Sequence, residues 1–145
     1  MPNRVSEAIR FWQESKEVVV VGVVVVSHSA EIARGVVDMA SQMAGDEVRL
    51  ESAGGDSHGT LGTDEGLVRE AIRRADQGDG VVVLADLGSA VLTIRHILER
   101  GDGVVRLADA PVVEGAVAAA VVASMGLPLA DVVNGAEEAR GARKL

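Results

Sequence analysis

A chain of 145 residues, 48% apolar and with a net charge of −8, is sized for one domain with a full core and is too apolar to be disordered. That charge repels a phosphate backbone, and one Phe, one Trp and no Tyr leave no aromatic platform for bases, so nucleic acid is excluded as a partner. With no Cys there is no disulfide framework, no thiol nucleophile and no Cys-based zinc site.

Residues 1–17 carry Ile9, Phe11 and Trp12 among charges, the pattern of a short amphipathic extension whose Phe11 and Trp12 pack on the body. The run Val18 to Val26 that follows is nine residues long. A membrane span needs roughly 20, and Glu14, Lys16 and Glu17 in front of it do not suit a signal peptide. A cytoplasmic protein is expected. Continuous Val marks a parallel strand covered on both faces. It stops at Ser27-His28-Ser29, and Ile32, Val36, Met39, Ala40 and Met43 then recur at helical spacing up to Gly45.

A second strand is expected over 47–53. A glycine-rich loop, Gly54 to Gly62, leads to Thr63 as the cap of a helix running to about Gln77. The third strand is placed at 81–86, the turn Leu87-Gly88-Ser89 opens a helix to about Arg100, and the fourth strand falls at 104–108. Pro111 begins a helix over 112–125 that is almost all Val and Ala. A helix apolar on every side must be covered, so part of it is expected to meet another copy of the chain or a partner. Leu129 to Val133 reads as an extra edge strand, and the end of the chain as a mobile tail.

Strands alternating with helices specify an α/β fold: a mostly parallel open sheet of about four strands with helices on both faces. The divisions expected are an extension at 1–17, one domain at 18–135 and a tail at 136–145.

In such sheets ligands collect at the C-terminal edge. Three strand ends meet there, supplying His28, the carboxylate of Asp86 and the backbone N–H groups of the glycine loop. A neutral histidine is a nucleophile, and a carboxylate on one ring nitrogen fixes the tautomer that presents the other. A phosphoryl group on His28 would face helix N-termini, which favour anions. Asp86 serves equally as a cap for the helix after it. His58 reads as loop filler and His96 as a surface residue, and scattered histidines without Cys make no metal site. The loop holds no Lys and no dinucleotide fingerprint, so no nucleotide or other cofactor is expected on this chain.

Four segments in order, VVSHSAEIARGV, AGGDSHGTLGTD, VVLADLGSAVLT and LADAPVVEGAVAAAVVAS, closely resemble the phosphotransfer (DhaM) subunits of phosphoenolpyruvate-dependent dihydroxyacetone kinases. More broadly they are similar to mannose-type EIIA domains of the sugar phosphotransferase system. The resemblance implies that His28 is phosphorylated by the phosphocarrier HPr and passes the group to ADP on DhaL, for dihydroxyacetone on DhaK. It implies that Asp86 orients the histidine, that Gly62, Thr63, Gly88 and Ser89 line the phosphoryl pocket, and that the protein is a homodimer; Ser27 and Ser29, on either side of His28, are expected to line the same pocket. Two other readings stay open: an EIIA component for sugar uptake, and a regulatory module read out through His28.

Overall fold

The computed structural model describes residues 3–14, 18–101 and 104–145. Its elements are α1 (Arg4–Glu14), β1 (Gly22–Ser27), α2 (Ala30–Ala44), β2 (Leu50–Gly54), α3 (Glu65–Ala75), β3 (Val81–Ala85), α4 (Gly88–Glu99), β4 (Val105–Leu107), α5 (Val112–Ser124), α6 (Leu129–Glu138) and a 3₁₀ turn at Ala139–Gly141. The four strands form one parallel sheet in the order β2-β1-β3-β4.

Every residue of β1 is buried, as a central strand between two helical layers requires. Its valines alternate between two cores. Val23 and Val25 pack with Ala33 and Val36 of α2, Ala116 and Ala119 of α5, and Val132 of α6. Val24 and Val26 pack with Val68 and Ala71 of α3, and with Ala90 and Ile94 of α4. Helices cover both faces as expected, and the alanines let them approach closely.

The strand begins four residues later than the valine run suggests. Register explains this: Gly22 stands opposite Val81, where β3 starts, so the residues before it lack that strand partner. Val18 is 70% exposed, and the Val20 N–H goes to Asp79 Oδ2 at 2.8 Å.

Leu129 to Val133 corrects the expectation of an edge strand. The segment opens α6, with Pro128 at its N-cap and Asp131 in its first turn. Leu129, Val132, Val133 and Ala136 form one helical face turned into the core, a period that a five-residue window could not show. This helix also revises the argument for a second copy. α5 lies between α2, α6 and the sheet, so most of its apolar surface is met within one chain, while Val117 and Val121 stay partly exposed. The boundary placed at 135 falls inside α6. The tail beyond it turns back on the domain, with Arg140 on Asp109 at 2.6 Å and Lys144 on Glu114 at 3.1 Å.

At the other end, α1 is a helix whose Val5 and Ile9 are exposed. The packing expected of Phe11 and Trp12 concerns side chains outside the described ones, since α1 is described beyond Arg10 by its backbone alone.

Candidate active site

Because β1 lies between β2 and β3, the loops after all three strands open at one point of the sheet edge. Ser27 is opposite Gly54 on one side, and Val26 is opposite Ala85 on the other. His28 and Asp86 are therefore neighbours by register, 58 residues apart in sequence.

Their contact differs from the one expected. Asp86 accepts from the backbone N–H of His28 at 3.3 Å on each carboxylate oxygen, from the Leu87 N–H at 2.7 Å on Oδ1, and from the Ser27 hydroxyl at 2.6 Å on Oδ2. The carboxylate thus holds the peptide that carries the histidine, while the imidazole Nδ1 is buried without a hydrogen-bond partner. Asp86 takes no part in capping α4 from the N-cap position, which Leu87 occupies.

The neighbouring residues divide into two sets. Ser27, Ser29 and Gly62 build the frame. Ser27 is 0% exposed, and its oxygen also accepts the Ser29 N–H at 3.0 Å. Ser29 is the N-cap of α2, accepting from the Ile32 N–H at 3.3 Å. The Gly62 N–H donates to the His28 carbonyl at 2.9 Å, so it is not free for a ligand. Ser27 and Gly62 were expected to line a pocket, and their groups are spent instead on fixing His28. Gly54 belongs to this frame: a Cβ there would sit 2.5 Å from the Ser29 carbonyl oxygen, so the end of β2 abuts the start of α2.

Thr63, Gly88 and Ser89 face outward. The Thr63 and Ser89 hydroxyls stand 3.4 Å apart, bridging the β2 loop to the first turn of α4. That turn has no side-chain cap, and a Cβ on Gly88 would meet nothing within 4 Å. Its N–H groups are available to an anion. α3, by contrast, is capped by Asp64 on the Leu67 N–H at 2.9 Å.

The glycine loop is closed on itself. Asp56 accepts from the N–H groups of His58 and Thr60 and from the Thr60 hydroxyl. These bonds, the hydroxyl first, hold its carboxyl below the ordinary aspartate range. His58 is exposed and enters the turn only through its backbone. His96 stands 3.8 Å from Glu65. The carboxyl of Glu65 is itself held low, chiefly by Arg69, and both residues lie on the α3–α4 seam.

Three apolar side chains escaped the reading of the sequence. Ile32 in the first turn of α2, Leu61 in the glycine loop and Leu87 after Asp86 are 51%, 70% and 56% exposed, on the segments that border His28. Leu61 and Leu87 sit in otherwise polar turns, which was the available signal.

Residues 22–133 match the family described as EIIA-man, PTS system fructose IIA component. The phosphoryl donor subunit DhaM of a PEP-dependent dihydroxyacetone kinase from Pantoea ananatis is 40% identical over 131 residues, covering 86% of this chain and 28% of that protein. The corresponding Escherichia coli K12 subunit is 37% identical with the same coverage. A shorter Listeria innocua DhaM, of kinase 2, is 36% identical over 70% of this chain and 84% of its own length. The chain thus spans little more than a quarter of the two longer relatives and most of the shorter one. Among solved structures, a protein of unknown function designated EF1359 superposes with a TM-score of 0.77 at 34% identity, over 87% of this chain and 98% of that one. With the fold, the site register and these matches in agreement, the chain belongs to the EIIA-man family and, within it, to the DhaM phosphoryl donor subunits.

Proposed function

We propose that this chain is the phosphohistidine relay of a phosphoenolpyruvate-dependent dihydroxyacetone kinase. The observation that carries the reading is the setting of His28. It follows the central strand at the mouth of α2, and with its Nδ1 buried the transfer is assigned to Nε2. The lone pair of Nε2 attacks the phosphorus of phospho-HPr, the donor's P–N bond breaks, and a new P–N bond forms on His28. An oxygen of the terminal phosphate of ADP on DhaL then attacks the same phosphorus, the bond to His28 breaks, and ATP is left to phosphorylate dihydroxyacetone on DhaK. The uncapped first turn of α4 and the hydroxyls of Thr63 and Ser89 are the groups that would steady the phosphoryl oxygens.

Donor and acceptor are proteins in this scheme, which suits a surface with exposed Ile32, Leu61 and Leu87 around a half-buried histidine. Among the described residues no helix is long and apolar enough to cross a membrane, and the relay belongs in the cytoplasm with its partners. Residues 1–17 are an extension outside the relay domain. A homodimer is part of the same proposal. The exposed Met39 and Met43 on one face of α2 offer it a seat, and a clean monomer at micromolar concentration in light scattering overturns it.

The test is reconstitution with phosphoenolpyruvate, Enzyme I and HPr. Acid-labile phosphate should appear on the wild-type chain and be absent from His28→Ala. Unchanged labelling of His28→Ala removes the assignment. Adding DhaL, DhaK and dihydroxyacetone should yield dihydroxyacetone phosphate. Labelling without that product favours the regulatory reading.

A further inference from the structure

Among the described residues, Ser27 is the one polar side chain buried outright. Four valines precede it on β1, and an apolar residue would serve the packing of that strand equally well. A buried hydroxyl costs free energy unless both its donor and its acceptor are used. Here both are: it donates to Asp86 Oδ2 at 2.6 Å and accepts the Ser29 N–H at 3.0 Å. It therefore joins the carboxylate on one side of His28 to the backbone on the other.

We propose that Ser27 is a positioning residue for phosphoryl transfer, acting on His28 through Asp86. The inference rests on the reading of His28 as the phosphoryl acceptor. The Ser27 bond is the shorter of the two on Oδ2, the other being the 3.3 Å contact with the His28 N–H. Without the hydroxyl, the Asp86 carboxylate turns about its last side-chain bond and the Ser29 N–H loses its acceptor. The carboxylate is then fixed by the Leu87 N–H on Oδ1 alone, its hold on the His28 N–H loosens, and the Gly62 bond to the His28 carbonyl is the clamp left unchanged. A reacting atom displaced by about 1 Å loses on the order of 10²-fold in rate. Ser27 exposes no surface, so a docking protein has nothing of it to touch. Its loss acts on turnover and not on partner affinity.

The experiment is phosphoryl transfer from phospho-HPr to the intact chain, comparing wild type, Ser27→Ala, Ser27→Cys, Ser27→Thr, Asp86→Asn and the double variant Ser27→Ala/Asp86→Asn. Ser27→Ala should lose roughly 10- to 10²-fold in kcat with KM for phospho-HPr unchanged, and Ser27→Thr should recover most of that loss. The double variant should be no slower than Asp86→Asn alone, since both changes break one connection. Where Ser27→Ala does not fold, Ser27→Cys supplies the comparison, keeping the shape and weakening the donor. A wild-type kcat in the hydroxyl-free variants, a loss confined to KM, or losses that multiply in the double variant each overturn the proposal. His28→Ala separates the two levels. If His28→Ala still accepts phosphate, the relay reading fails. If it does not and Ser27→Ala is normal, only the role of Ser27 fails.

Discussion

At the scale of single residues, the site works through what its side chains hold. Asp86 fixes the backbone of His28 and not its ring, so its charge is spent on N–H groups and on the Ser27 hydroxyl. Asp86→Asn should keep the fold, since the amide oxygen still accepts and each bond to a charged acceptor contributes only about 1.5–3 kcal/mol, and slow phosphoryl acceptance by on the order of 10²-fold. Rapid-quench transfer beside a thermal melt measures both, and an undiminished rate would reduce Asp86 to a structural clasp. Asp56 offers a second residue-level expectation. Its folded carboxyl titrates below the ordinary value because the Thr60 hydroxyl, then the N–H of Thr60, bond the charged form. The sign follows from linkage. Whatever stability the closed loop gains from this charge is present in full above the unfolded aspartate pKa, and is lost as the pH falls through the lower folded value. In a His58→Gln variant, where no imidazole sits in the turn, the amide signals of residue 58 and Thr60 should stay in place down to the ordinary aspartate range and move only below it. Movement at mildly acidic pH contradicts this.

At the scale of elements, two close approaches set where the helices sit. A Cβ on Gly22 would lie 2.2 Å from the Ala75 carbonyl oxygen at the end of α3, and one on Gly54 would lie 2.6 Å from Ala30 Cα at the start of α2. Both neighbours are backbone and cannot step aside, so each alanine substitution should destabilise by about 1–3 kcal/mol or more in urea unfolding. The two differ in function. Gly54→Ala pushes β2 away from the turn that carries His28 and should lower phosphoryl acceptance per folded molecule. Gly22→Ala, at the opposite end of β1, should not. Equal loss of activity in both would show that the sheet transmits strain along its whole length.

At the scale of the molecule, α6 completes the core. Val132 and Ala136 are fully buried, with Leu129 and Val133 partly buried against the same cluster, and full burial of a side chain such as Val132 contributes about 1.5–3 kcal/mol. Against a total stability of about 5–15 kcal/mol, α6 is not optional. A chain ended at Gly126 should lose its cooperative melt, bind hydrophobic dye and self-associate through the bared face of α5. A monomeric, cooperatively melting truncation would show that α5 tolerates water.

The strand–helix alternation, the valine strand, the glycine loop and the histidine at the strand end were legible because they are local. β-branched runs, 3.6-residue periods and caps act within a dozen residues, and they fix the layers and the edge where His28 stands. The start of β1 was misplaced because strand limits depend on the partner strand. α6 was mistaken for a strand because its period shows only when the segment is followed to Ala136. The neighbourhood of Ser27 and Asp86 followed from topology, since parallel strands β1 and β3 put their C-termini side by side. What Asp86 bonds to was decided only in three dimensions. A carboxylate's partners are whatever donors the register brings within hydrogen-bond reach, and here those were the His28 and Leu87 N–H groups and a buried hydroxyl instead of the ring. The sequence by itself thus determined which residues reach this edge of the sheet, and tertiary packing decided which of them hold the histidine and which are left facing outward.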